Sequence, residues 1–175
     1  MICNKNVCLR AIEKKDLSQL QEWRNMPKYR KFFREFKEIS SDHQNDWYKK
    51  IVQNSNNHFM FSIIQDDELV GCGGLVYVDW VNRNADLSLY IGKDNSYIDV
   101  TIAPIAAKLI INYAFEELNL HKLWAEIYSI DKIKQNFFSN ILKFKEEGRH
   151  RQSHWTEGSW VDSIYYGLIS SEYLK

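Results

Sequence analysis

Arginine grips carboxylates and phosphates well because its planar guanidinium donates two parallel hydrogen bonds. Arg24, Arg30 and Arg34 stand close together near the amino end with Glu35 beside them, and Arg30 and Arg34 are candidates for holding an anionic group on a substrate. A solvated helix face would use the same charges. Trp80, Asn82, Arg83 and Asn84 form a second polar and aromatic stretch, suited to substrate recognition and equally to building a turn. A third lies near the carboxyl end, where His150, Arg151, His154 and Trp155 stand opposite Asp162 and Tyr166. An arginine and histidine rim beside tryptophan would hold an anionic sugar nucleotide, and plain cross-strand pairing would also use these residues. His154 and Tyr166 therefore join Trp80, Asn82 and Arg83 as substrate-binding candidates. The five histidines are not at zinc-site spacings, and on a strand the four-residue step from His150 to His154 is too long to share one ion, so no metal is expected. Cys3, Cys8 and Cys72 are an odd set without a Cys-x-x-Cys pair, which predicts reduced thiols packed as small hydrophobes.

These groups must be positioned by a chain of 175 residues, 45% hydrophobic, a size and composition that suit one compact domain over residues 1–175. Lys and Arg number 23 and Asp and Glu 23, so no global field gathers nucleic acid or an anionic membrane. Met1 to Arg10 lacks the apolar core of a signal peptide, and the apolar stretch Ile102 to Phe115 is broken by Lys108 and Asn112. The expected location is the cytoplasm, with no membrane partner.

Val7 to Ile12 alternates as a short strand, and Asp16 reads as the cap of a helix carrying Leu17, Leu20 and Trp23, interrupted at Pro27. Ser40 or Ser41 caps a second helix with Trp47, Ile51 and Val52 on one face. His58 to Ile64 and Leu69 to Val78 form a hairpin across Gln65-Asp66-Asp67-Glu68, and Asn84 to Gly92 adds a strand with one buried face. Pro104 opens a helix from about Ala103 to Leu118, since its missing N–H is one that a helix start leaves unpaired. Lys122 to Ile130 is a strand, Asp131 to Leu142 a helix, and two strands follow near Phe144 to Ser153 and Trp160 to Ser170. A three-strand meander followed by a strand–helix–strand crossover implies a mixed α/β (α+β) sheet covered by helices.

That order resembles the GNAT superfamily of N-acetyltransferases over essentially the whole chain, closest to the branch of ribosomal-protein N-terminal, polyamine and nucleotide-amino-sugar acetyltransferases. The resemblance is carried by Leu9-Arg10-Ala11 with Asp16-Leu17, by Ala85-Asp86-Leu87-Ser88-Leu89-Tyr90-Ile91-Gly92, and by Asn112 through Lys122. Glu147-Gly148-Arg149 and Val161-Asp162-Ser163 through Tyr166 extend it. It implies a mostly antiparallel sheet whose middle strands splay, with the pantetheine arm of acetyl-CoA, the co-substrate, in the gap. Leu89, Tyr90 and Ile91 would bond its amides as an added strand does, and Phe138 would pack on it. The pyrophosphate would rest on Asp99, Val100, Thr101, Ile102 and Ala103, at the positive end of the long helix.

Of the family's phosphate-binding signature only Ala103 is present, and Asp99 puts a carboxylate where negative charge should rest. The tyrosine that often protonates the departing thiolate is replaced by Ser139, which could position a water. The resemblance makes Asp86 the candidate base, taking the amine's proton through water; an outward ion pair to Arg83 or Lys122 is the rival reading. The function implied is direct acetyl transfer to a primary amine of a small molecule or protein terminus, and the resembled branch, in which dimers are common, makes a homodimer one expectation. The alternatives are a GNAT-shaped module that binds acyl-CoA or another ligand without turnover, and a protein-interaction domain.

Overall fold

The computed structural model describes residues 1–173. Strand β1 (Ile2–Asn4) turns at Lys5 and Asn6 into β2 (Val7–Ala11), which puts Cys3 directly opposite Cys8. Those sulfurs are joined in a disulfide, which corrects the expectation of three reduced thiols; β1 is too short to announce itself by alternation. Cys72 is the free cysteine, and burial pushes its thiol up to about 12.

Helices α1 (Leu17–Asn25), α2 (Pro27–Arg30) and α3 (Ser41–Trp47) follow, and α3 runs on into a wider π-turn, Tyr48–Gln53. Ser40 caps α3 by accepting from the His43 N–H. Asp16, the expected cap of α1, has a different role. Its buried carboxylate accepts from both terminal nitrogens of Arg10 at 3.0 Å, from the Glu13 N–H at 2.9 Å and from the Ser62 hydroxyl at 2.8 Å. One side chain thus ties β2, the entry to α1 and the next strand together.

The meander is β3 (Phe59–Gln65), β4 (Glu68–Asp79) and β5 (Asn84–Ile91). Helix α4 (Ile102–Asn112) continues through a π-turn to Glu117, then come β6 (Lys122–Tyr128), α5 (Lys132–Asn136) with a π-turn over Phe137–Ile141, β7 (Lys145–Thr156), β8 (Ser159–Ile169) and α6 (Ser170–Tyr173). The strands form one sheet in the order β1-β2-β3-β4-β5-β6-β8-β7, antiparallel throughout except between β5 and β6. The long helix that joins β5 to β6 makes that parallel pairing possible.

Alternation on β5 sends Ala85, Leu87, Leu89 and Ile91 into the core beneath α4, as expected. Its other face is also covered: Asp86 and Tyr90 are buried, and Tyr90 joins Leu20, Trp23, Tyr29, Phe33 and Tyr97 in a second apolar cluster beneath α1 and α2. The one-faced strand is therefore two-faced, because the segment 17–48 folds over it. Gly92 permits this closeness, since a Cβ there would lie 1.9 Å from the Trp23 ring.

The Asp16 carboxyl is held below its ordinary range, because bonds from Arg10, Glu13 and Ser62 outweigh the opposing effect of burial. A depressed acid stabilises the fold above its unfolded pKa of about 4, and the contribution disappears as pH falls through the folded value. Asp16→Asn should lose about 2 kcal/mol at pH 7 by urea unfolding, and the gap from wild type should narrow near pH 3.

Candidate active site

β5 and β6 pair over only three positions, Asn84 to Asp86 against Lys122 to Trp124, and then part. Beyond that point lies a cavity of about 500 Å³ between Leu87, Ser88 and Tyr90 on one side and Ala125 to Tyr128 on the other. Phe138 lines its floor, and Leu20, Arg24, Phe33 and Trp47 close it from the helical segment. A volume of that order suits a small-molecule ligand.

The backbone at the gap follows from register. Gly92 donates to the Val70 carbonyl of β4, so by alternation Tyr90 also faces β4, while Leu89 and Ile91 face the gap. Ile91 already donates to the Tyr97 carbonyl at 2.8 Å. Of the three residues expected to meet pantetheine through their backbone, Leu89 alone keeps its N–H toward the gap without a described partner. Tyr90 contributes its side chain to the cavity wall instead.

Asp86 sits where the strands begin to part. It is 3% exposed, and Arg34 Nη1 lies 2.7 Å from its Oδ2. Arg34 Nε also donates to Glu126 Oε2 at 3.1 Å, and the guanidinium lies over the Tyr77 and Trp124 rings. One arginine thus bridges acids on both diverging strands. Burial raises the Asp86 carboxyl above its ordinary range while Arg34 pulls the other way, leaving an ion-paired carboxylate with enhanced proton affinity. The ion pair expected from Arg83 or Lys122 is not formed: Lys122 pairs with Glu147.

At the start of α4 the expected phosphate donors are already used. Asp99 accepts from the Thr101 N–H and hydroxyl, from the Ile102 N–H and from the Ala103 N–H, at 2.5–2.8 Å. These bonds hold its carboxyl low against the opposing effect of burial. Thr101, Ile102 and Ala103 therefore face an internal anion, and Val100 points outward, 85% exposed. The gap suits the pantetheine arm, whereas at the helix start the Thr101, Ile102 and Ala103 N–H groups are already taken by Asp99 and not open to a pyrophosphate. Tyr97 completes the loop, fully buried, stacked on Tyr29 and donating to Asp131 Oδ2 at 2.5 Å across the end of the gap.

The remaining candidates are scattered. The Ser139 hydroxyl donates to the Gln135 carbonyl within its own helix at 2.7 Å, outside the cavity wall. Arg30 pairs with Glu38. Trp80 donates to the Asn56 carbonyl, Asn82 bonds Asp79, and the Arg83 carbonyl receives His121 and Lys122, so all three serve the β4–β5 turn. His154 stacks on Tyr128 at 3.7 Å and buttresses the wall from behind. Tyr166 lies in the core beneath α4, because strand alternation turns it away; its neighbour Tyr165 faces the Trp124 ring and bonds Glu126. Glu126, Tyr128 and Lys134 were missed, although Trp124, Glu126 and Tyr128 alternate on β6 in parallel register with Asp86.

A family profile described as an acetyltransferase (GNAT) domain matches residues 9–165. The putative ribosomal N-acetyltransferase YdaF of Bacillus subtilis is 28% identical, over 97% of this chain and 94% of that protein. The spermidine N(1)-acetyltransferase of Vibrio cholerae is 24% identical over 98% of each. The fold superposes on a crystal structure of a Vibrio cholerae spermidine N-acetyltransferase in complex with CoA and spermine, with TM-score 0.86 and 24% identity over 98% of this chain and all of that one.

Asp99→Gly should act with opposite signs on two measurements. Loss of the cap lowers thermal stability by about 1 kcal/mol, and release of three N–H groups tightens acetyl-CoA binding by roughly tenfold, about 1.4 kcal/mol by calorimetry. Weaker binding would mean that Asp99 organises the loop for the cofactor.

Proposed function

This chain belongs to the GNAT acetyltransferase family and transfers an acetyl group from acetyl-CoA to an amine, and we propose that the acceptor is a primary amine bound in the cavity between β5, β6 and the helical segment 17–48. The observation that carries this reading is the buried Asp86–Arg34–Glu126 bridge at the point where the strands part. It sets a carboxylate of enhanced proton affinity at the head of the gap that the Leu89 N–H faces.

Acetyl-CoA supplies the activated acyl group as its thioester. The protein must hold that thioester and a neutral amine together, so that the nitrogen adds to the thioester carbonyl carbon and the C–S bond breaks as the adduct collapses, with CoA leaving as its thiolate. Leu89 offers its backbone to the pantetheine arm in the manner of an added strand, and Leu87 and Phe138 give that arm an apolar bed. Asp86 takes the proton that the amine sheds. Arg34 keeps Asp86 ionised despite its burial and fixes its direction, while Glu126 shares the charge of Arg34 so that the arginine does not quench the base.

The relatives named as spermidine acetyltransferases make polyamines one acceptor class to test, and Glu35, Asp86 and Glu126 on the cavity wall are the groups that would receive their positive charge. Release of CoA thiol across a panel of amines tests the reading. Asp86→Asn should lower kcat by about 10²-fold with acetyl-CoA affinity changed less than twofold (~0.4 kcal/mol); unchanged turnover would remove Asp86 from the reaction. Glu126→Gln should lower kcat by roughly tenfold, because Arg34 would then press more strongly on Asp86.

A further inference from the structure

Arg34 is neutralised by two carboxylates, but the other two cations on the cavity wall are not. Arg24, from α1, lies with its guanidinium 3.9 Å from the centre of the Phe33 ring, and Lys134, from α5, reaches the same ring at 5.7 Å. Neither makes an ion pair with a described carboxylate, and the Arg24 Nε–H is buried without an acceptor among the described residues. Asp131, the nearest acid in sequence to Lys134, is engaged by the Tyr97 hydroxyl and by the Lys134 backbone N–H. Burial, reinforced by the neighbouring Arg24, pushes the Lys134 ammonium below the ordinary lysine range, and Asp131 offsets this only in part.

Two like charges gathered on one aromatic ring, with a buried donor left over, are unfavourable in the free protein. They become favourable once an anion sits between them, since charge-assisted bonds strengthen where water is excluded. We infer that Arg24 and Lys134, both held against Phe33, form a subsite for a phosphate or carboxylate carried by the acceptor, so that the substrate is an acidic amine and not a free polyamine. The inference rests on the reading of the cavity as the acceptor chamber. Arg24 recognises the anion through its fork, Lys134 as a point charge, and the Asp86 end of the cavity receives the amine.

Calorimetry with inorganic phosphate, with and without saturating CoA, reads the subsite without turnover. Phosphate should bind with and without CoA, and Lys134→Met and Arg24→Gln should each weaken it by about tenfold. Two variants guard against loss of fold in either one. Displacement of phosphate by CoA would assign the cations to the cofactor's phosphates and overturn the proposal, as would undetectable binding to the wild-type protein or wild-type affinity in both variants. Turnover is then compared between glucosamine and glucosamine 6-phosphate, between cadaverine and lysine, and with spermidine. The acidic member of each pair should be preferred, with its KM raised about tenfold in Lys134→Met; preference for spermidine, indifferent to Lys134, would contradict it. Turnover of no amine while phosphate still binds would count against the acceptor chamber and leave the anion subsite standing.

Discussion

Everything at the site depends on β5 and β6 parting after three paired residues. Backbone N–H and C=O groups must find partners when they leave water, so two strands that separate inside a sheet create an obligation that something else has to meet. On β5 the obligation is met in part by the protein itself, through the Ile91 bond to Tyr97, and left open at Leu89. The same separation makes room for side chains from both strands to point at one space. That is how Asp86 and Glu126 come to share Arg34.

The loop before α4 follows the same logic from the other side. A helix start holds unpaired donors and partial positive charge. In this chain Asp99 supplies the negative charge from within, and Tyr97 anchors the loop to Asp131 across the end of the gap. A carboxylate in place of a phosphate and a peptide carbonyl on Ile91 give the loop a well-satisfied conformation of its own. Binding a cofactor phosphate at that helix start then means exchanging one set of satisfied bonds for another, so affinity at this end is a difference between two good arrangements.

The fold was largely legible because its strands and the long helix carry strong periods: the alternation at Asn84 to Ile91 and the apolar face of α4 sit where the sequence puts them. Around the gap, only what a strand position decides was legible, such as the places of Asp86 and Leu89 on β5. Asp86 was placed on β5, but its partner was sought among Arg83 and Lys122, close in sequence or in register, and Arg34 arrives from a segment whose fold over the sheet no local pattern encodes. Tyr166 was preferred to Tyr165 although one step along a strand reverses the face. The Cys3–Cys8 disulfide was missed because three residues of β1 carry no period and cysteine parity alone argued against it. Lys134 was not singled out, because its approach to Phe33 and Tyr97 is set by how α5 packs and not by any local pattern.

The central claim is that the open backbone of β5 receives the acyl-CoA arm, and amide hydrogen exchange of the free and acetyl-CoA-bound protein, resolved at Leu89 and Tyr90, tests it most directly. Tyr90, already bonded toward β4, should be protected in both states, while Leu89 should exchange readily in the free protein and become protected when acetyl-CoA is added. Equal exchange at Leu89 with and without acetyl-CoA, under conditions where calorimetry shows it bound, would place the cofactor elsewhere and contradict the account.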